Sequence, residues 1–296
     1  MTRVIKRCYY ALAYYKSWVL FMGVGLALSV CSLPLLPWRG NPALERRMRA
    51  VQRALFRVWI FWFRASGVLR IRFNGFGAPA AVGASLATPS APDTPALAKF
   101  SKQGVASDAP TVLNASVPVP GTVFISTHPT LIDAPLLFAR LPDTVGVTKP
   151  GVVNHPLIGA AAIMAGFVTG ADGVDMLRIV TEKIRAGSSL LIFPEGTRTE
   201  RGATLNPFRP GYALIAARAG APIRLIITRA SAGLVTRGRP WWKLPDVLPA
   251  SIEFTLDREW IPDPEKPAAA LNAEIETYTR ERLRREIPNP KIPNPK

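Results

Sequence analysis

Only two histidines occur in 296 residues, so imidazole chemistry in this chain rests on His128 or His155. His128 opens the segment His128-Pro-Thr-Leu-Ile-Asp133. A carboxylate five residues on, across a turn from strand to helix, can fold back onto one ring nitrogen. That contact fixes the tautomer and stabilises the imidazolium, leaving the other nitrogen to take a proton from a hydroxyl. The pair needs no metal and no nucleophilic side chain. It suits direct attack of an alcohol on an activated carbonyl. His155 carries alanine at the same offset, Ala160, and reads as a structural loop histidine.

A second chemical segment is Leu190-Leu-Ile-Phe-Pro-Glu195-Gly-Thr-Arg198-Thr199. Proline ends an apolar strand there, and glycine lets the backbone approach a ligand closely. A carboxylate, a hydroxyl and a guanidinium then gather at the C-terminal end of a strand, where open α/β sheets bind ligands. Glu195 can accept from polyol hydroxyls, and Arg198 can clamp a phosphate or carboxylate.

The elements that must position these groups follow from apolar periodicity. Val123–Ser126, Leu190–Phe193, Leu225–Thr228 and Ile252–Leu256 are short apolar runs suited to buried strands. Helical spacing predicts helices over Val174–Ala186, Ala213–Ala219 and Ala268–Arg285, with Asp172 able to cap the first and Gly187 to end it. The alternation predicts an α/β fold, a mixed sheet flanked by helices. Residues 77–118 are rich in Ala, Pro, Ser, Thr and Val and read as a flexible insertion, and residues 287–296, Ile-Pro-Asn-Pro-Lys written twice, as a disordered tail.

From Trp18 to Trp38 there is no charge, a run that spans about 30 Å as a helix, close to the thickness of a bilayer core. Arg3, Lys6, Arg7 and Lys16 precede it, and Arg39, Arg46, Arg47 and Arg49 follow it, so the charge bias sets no orientation. A re-entrant or in-plane hairpin fits that symmetry. Leu55–Phe63 is aromatic-rich and punctuated by Arg53, Arg57 and Arg64, which suits an interfacial helix with guanidinium groups on lipid phosphates. A core helix of the α/β domain is the competing reading. The expected organisation is a membrane-anchoring helical hairpin over 1–66, an α/β domain over 67–286 containing the insertion, and the tail.

With 37 basic against 20 acidic residues, the formal charge is +17, which favours an anionic partner. The uncharged N-terminal run favours an anionic membrane surface over nucleic acid. Aromatic and basic residues do interleave in 53–64 and 236–243, but no nucleic-acid-binding module frames them. Cys8 and Cys31 supply neither a disulfide framework nor metal-ligand spacing, and no metal is expected.

The two segments, with His128 and Glu195 separated by 67 residues, resemble the glycerolipid acyltransferase family, typified by 1-acylglycerol-3-phosphate acyltransferases. That family carries a His-x4-Asp motif and then Phe-Pro-Glu-Gly-Thr-Arg, followed by a Val-Pro-Ile-type segment matched here by Ala221-Pro222-Ile223. The resemblance covers roughly residues 120–260. It implies transfer of a fatty-acyl group from acyl-CoA or acyl-carrier protein to a lysophospholipid or related hydroxyl, without a further cofactor. It implies His128 as general base and Asp133 as its orienting partner, with Thr130 beside the same turn. Glu195, Gly196, Thr197 and Arg198 would line the acceptor headgroup site, and Lys149 would lie near the acceptor or thioester. It also implies a membrane-embedded N-terminal two-helix motif. A bacterial-type inner membrane with the catalytic domain on its cytoplasmic side is the corresponding location.

The chain departs from the family pattern at two places. Thr127 stands where asparagine is common. Gly170 stands where the family places an arginine that grips glycerol phosphate. A missing cation at a phosphate site costs about 1.5–3 kcal/mol. Either Arg178, Arg198 or Arg209 compensates, or the acceptor is not lysophosphatidic acid. Thr236–Lys243 is similar to less characterised relatives and points to a specialised lipid acceptor. The alternative of a different class is a catalytically inactive membrane lipid-binding or scaffolding protein.

Overall fold

The central strands are short because only a short stretch of each is apolar on both faces, as burial between two helical layers requires. The structure, a computed structural model, describes residues 3–77, 121–170 and 173–285. Seven strands form one sheet: β1 (Leu69–Asn74), β2 (Val123–Ser126), β3 (Thr144–Thr148), β4 (Val168–Thr169), β5 (Ser189–Ile192), β6 (Ile223–Ala230) and β7 (Ala250–Trp260). Their order is β1-β7-β6-β2-β5-β3-β4. Every neighbouring pair is parallel except β6 and β7, so the sheet is mixed, as expected.

The helices are α1 (Arg3–Ser32), α2 (Pro42–Ser66), α3 (Asp133–Arg140), α4 (Pro150–Val153), α5 (Gly159–Met164), α6 (Gly173–Arg185), α7 (Gly211–Ala219) and α8 (Ala268–Arg285). Alternate strand residues face opposite sides of the sheet. Phe124, Leu191 and Ile226 therefore pack with Trp18 of α1, Trp59 and Phe63 of α2, and Leu136 and Leu137 of α3. Val123, Ile125, Leu190 and Leu225 face the other way, against Val180 of α6, Tyr212 and Ile215 of α7, and Ile275 of α8.

The four expected strands are present, and β6 and β7 run longer than their apolar cores because they pair with each other antiparallel beyond those cores. The three expected helices are present within one or two residues at each end. β1, β3 and β4 were not expected, and α3 starts at Asp133, where the turn after β2 was expected to enter a helix. β1 alternates arginine with apolar residues on a half-exposed edge, and β3 and β4 are short and carry Thr and Gly. The expected insertion over 77–118, Gly77 excepted, lies outside the described residues, as do the tail over 287–296 and the capping Asp172.

α1 and α2 form an antiparallel pair joined by a 3-10 turn over Leu33–Trp38, where Pro34 and Pro37 end the regular helix. The Tyr9 hydroxyl donates to Ser66 O at 3.0 Å and Trp59 Nε1 to Ser17 O at 2.9 Å, tying the start of α1 to the end of α2. Asn41 caps α2 by accepting from Ala43 N and Leu44 N, and Gly67 at φ 66° closes it.

The interfacial reading of 55–63 needs correcting. Trp59, Ile60 and Phe63 are buried in the core, and the buried Arg53, half-buried Arg57 and exposed Arg64 each donate to a protein carbonyl. Arg53 Nη2 donates to Arg140 O at 3.4 Å, Arg57 Nε to Ala139 O at 3.2 Å and Arg64 Nη2 to Ile71 O at 3.2 Å. The carbonyls at the end of α3 have no helical donors of their own, so guanidinium groups satisfy them and complement the helix dipole. Burial, and then the nearby charges of Arg57 and Arg140, push the Arg53 guanidinium down to about 10. Earlier in α2, Arg49 donates to Asp143 Oδ1 at 2.8 Å, Ala165 O at 2.9 Å and Ser188 Oγ at 3.1 Å. Only an outer strip of α2, including Val51, Val58 and Phe61, stays exposed.

Among the described residues one helical stretch, Val4–Trp38, is long and apolar enough to cross a membrane. It lies along the body of the protein. Tyr14, Ser17 and Trp18 are buried, and a Cβ on Gly25 would come within 3.1 Å of Ile158 Cγ2. Its outward side presents Ile5, Leu12, Val19, Leu26 and Leu33, one residue every seventh position, all exposed.

Candidate active site

β2 and β5 are parallel neighbours in which Ile125 pairs with Ile192. That register carries the same offset in sequence as His128 and Glu195, so the two segments leave one edge of the sheet side by side. The spacing between the motifs is therefore the strand register extended three residues beyond the sheet. The contact is direct: His128 N donates to Glu195 Oε1 at 2.9 Å.

His128 Nδ1 lies 3.0 Å from Asp133 Oδ2. Asp133, the first residue of α3, is 0% exposed, and its remaining capacity is used locally. Oδ2 also accepts from Thr130 N at 2.8 Å, and Oδ1 accepts from the Thr130 hydroxyl. A carboxylate held this way is acceptor-only, so Nδ1 carries the proton and Nε2 presents its lone pair. The ring stacks on Phe193, centroids 3.9 Å apart at 21°, and its side chain is 16% exposed. The imidazole is thus fixed in tautomer and plane while one edge reaches solvent.

Glu195 is 4% exposed, and the structure gives it work other than that of a free headgroup acceptor. Oε1 takes the His128 amide and the Thr199 hydroxyl at 2.9 Å, and Oε2 takes the Asn206 amide at 3.0 Å. Thr199 N in turn donates to His128 O at 2.8 Å. The loop grips both backbone groups of His128. Thr130, fully buried on Asp133, is likewise a positioning residue.

Four more expected residues lie on the loops around this centre. Gly196 sits at φ 66°, and a Cβ there would come within 2.9 Å of Arg209 Nε. Thr197 Oγ1 accepts from Lys149 Nζ at 3.5 Å, joining the end of β3 to the loop after β5. Arg198 Nη1 donates to Val235 O at 3.0 Å and Thr236 O at 3.2 Å. Burial pulls the Arg198 guanidinium below its ordinary range, the charge of Asp133 opposes that, and Arg237 adds to it.

His155 behaves as the loop histidine expected, accepting from Leu157 N at 3.2 Å through Nδ1. Of the three candidates to replace the cation absent at Gly170, Arg178 is exposed on α6 and paired with Glu182 at 3.1 Å. Arg198 and Arg209 stand at the catalytic loop. Among the described residues no group of three or more His, Cys, Asp or Glu side chains gathers as a metal site requires.

Sequence reasoning missed Asn206, the Phe193 ring beneath His128, and the carbonyls of Val235 and Thr236. Phe193 lay inside the quoted motif and could have been found. Asn206 and residues 235–236 sit at separations no local pattern dictates.

Residues 111–227 match the family model described as Acyltransferase. That stretch contains both motifs. Over part of its length the chain is also similar to proteins named as 1-acyl-sn-glycerol-3-phosphate acyltransferases. A chloroplastic 1-acyl-sn-glycerol-3-phosphate acyltransferase of Brassica napus is 34% identical over 106 residues, 34% of this chain and 30% of that protein. The 1-acyl-sn-glycerol-3-phosphate acyltransferase of Limnanthes douglasii is 34% identical over 111 residues, 34% of this chain and 38% of that one. The match thus spans about a third of the relatives' length. The crystal structure of PlsC, the 1-acyl-sn-glycerophosphate acyltransferase of Thermotoga maritima, shares the fold with a TM-score of 0.56 and 15% identity, covering 97% of this chain and 100% of that chain.

Proposed function

We propose that this protein transfers a fatty-acyl group from a thioester donor, acyl-CoA or acyl-carrier protein, to a hydroxyl of a lysophospholipid or related lipid acceptor. The observation that carries the reading is the His128 Nδ1–Asp133 contact at 3.0 Å, which leaves Nε2 as the base. In the proposed step Nε2 takes the acceptor hydroxyl proton as the oxygen attacks the thioester carbonyl. The buried Asp133 carboxylate stabilises the imidazolium so formed. The tetrahedral intermediate then collapses, the C–S bond breaks, and the imidazolium returns its proton to the leaving thiolate. Ester and thiol are the products, and His128 ends neutral.

Lys149, Thr197, Arg198 and Arg209 supply the cationic and hydroxyl groups of the acceptor site in this reading, while Thr130, Glu195 and Asn206 hold the catalytic turn. Three cations near the loop support an anionic headgroup, and Gly170 supplies no cation, an added Cβ there meeting Val147 Cγ1 at 3.6 Å. The outward apolar face of α1 and the excess of basic residues support a seat on an anionic membrane surface, the proposed location being the cytoplasmic face of a bacterial-type inner membrane. Similar proteins of Brassica napus and Arabidopsis thaliana are named as chloroplastic enzymes, so the likeness itself names no bacterial compartment.

The test is acyl transfer to a panel of lysolipids from both thioester donors, with wild type and His128→Ala. Transfer by wild type and its loss in a folded His128→Ala protein supports the reading. Equal turnover by the two proteins removes His128 as base, and no turnover by wild type with any pair favours a lipid-binding protein without catalysis.

A further inference from the structure

The β6–β7 connection carries an exposed aromatic pair and joins two distant parts of the protein. Its inner end is bonded to the catalytic turn. Val235 O accepts from Leu131 N at 3.1 Å and from Arg198 Nη1, and Thr236 forms an isolated antiparallel bridge with Thr130. Val235 sits at φ 48°, a conformation that a β-branched residue adopts only when its surroundings hold it there.

Its outer end is bonded to α1. The Tyr14 hydroxyl donates to Trp241 O at 2.6 Å and the Tyr15 hydroxyl to Trp242 O at 3.0 Å. The Trp18 and Trp241 rings lie 5.4 Å apart. Trp241 and Trp242 nevertheless remain 37% and 58% exposed, and Lys243 beside them is exposed too. Lys16 of α1 stands 4.6 Å over the ring of Trp62 on α2, a second cation next to an indole. Two large rings left in water beside cations cost free energy unless something covers them. Indole rings flanked by lysine suit the headgroup depth of a lipid surface, and the protein's charge of +17 makes that surface anionic.

We propose that Trp241, Trp242 and Lys243 contact an anionic bilayer surface, continuous with the outward face of α1, and that this contact steadies Val235 and Thr236 and so positions Arg198. The inference rests on the membrane placement proposed above and extends it to the active site: only a few residues separate the lipid-facing rings from the carbonyls that hold Arg198. Membrane contact is thereby coupled to the geometry of the acceptor site.

The full-length protein, Trp242→Phe, and the double variant Trp242→Ala/Lys243→Glu are compared on phosphatidylglycerol-containing vesicles, half of them with brominated acyl chains. Brominated lipid quenches wild-type tryptophan fluorescence more strongly than that of Trp242→Phe, and the double variant binds vesicles at least about five-fold more weakly. At vesicle concentrations that bind all of the double variant, its KM for the acceptor stays several-fold above wild type, while kcat with a monomeric short-chain acceptor is unchanged. Equal quenching in wild type and Trp242→Phe overturns the contact, whether the loop then faces solvent or a protein. Recovery of the wild-type KM on full binding leaves the contact but overturns the coupling. Quenching needs no turnover, so it decides the contact even if the acyl-transfer reading fails. Absence of any wild-type binding to vesicles overturns the membrane placement and this inference together.

Discussion

The catalytic turn and helix α1 are built on opposite plans. Around His128 and Asp133 each polar group is directed: the Asp133 carboxylate takes His128 Nδ1, Thr130 N and the Thr130 hydroxyl, and Glu195 takes three further donors. Along α1 the outward residues share only their apolar character and their spacing. Proton transfer fails when a base is misplaced by a fraction of an ångström, so its support must be specified atom by atom. Partition into lipid scales with buried apolar area and tolerates exchange of one apolar side chain for another. The difference teaches where substitutions are costly: at a few buried polar atoms in the first region, and nowhere singly in the second.

His128→Ala tests the first plan most severely. Acyl transfer is expected to fall by about 10²–10⁴-fold, the usual contribution of a positioned general base, with an unchanged melting temperature. Rates from thioester release, measured beside a thermal melt, check it; a loss of rate accompanied by unfolding would count against the specific role.

Glu195→Ala comes next. It strips acceptors from two buried amides and a hydroxyl, each worth about 1–3 kcal/mol when left unpaired, so both stability and kcat should drop. Urea unfolding reads the first and acyl transfer the second. Should kcat fall with no loss of stability, Glu195 contacts substrate rather than holding His128.

Gly196→Ala is smaller. A left-handed φ costs a non-glycine residue about 1–2 kcal/mol, and the new Cβ must displace Arg209. A modest destabilisation with a raised acceptor KM is expected, and an unchanged KM separates Arg209 from the acceptor site.

Smallest in stability is the paired change Leu12→Asn/Val19→Asn on the outward face of α1. Both positions are exposed, so unfolding free energy should stay within about 0.5 kcal/mol, while vesicle flotation weakens markedly. A strong fall in stability with unchanged flotation reverses the roles assigned to the two regions.

The central strands, the three amphipathic helices and the His128–Asp133 pair were legible because their signals are local: apolar runs, helical spacing, and two residues five apart. α2 was half legible. Its apolar stripe was visible, but lipid phosphate and the carbonyl end of α3 satisfy arginine equally well, and sequence does not say which is nearby. Glu195 was recognised as a functional residue, yet its partners Thr199, Asn206 and the His128 amide are assembled by β2–β5 pairing. An acidic residue beside glycine and threonine looks the same whether it meets a ligand or a neighbouring loop.

By itself the sequence determined an α/β sheet, an apolar basic-flanked N-terminal helix, and an imidazole with a carboxylate within reach, since each depends on residues that are neighbours along the chain. The tertiary structure decided that His128 and Glu195 meet, that α2 is pinned by Asp143 and the α3 carbonyls, and that the Trp241–Lys243 loop ties α1 to the catalytic turn. Those contacts join residues separated by tens to hundreds of positions. Strand register and helix packing set them, and no local pattern encodes either.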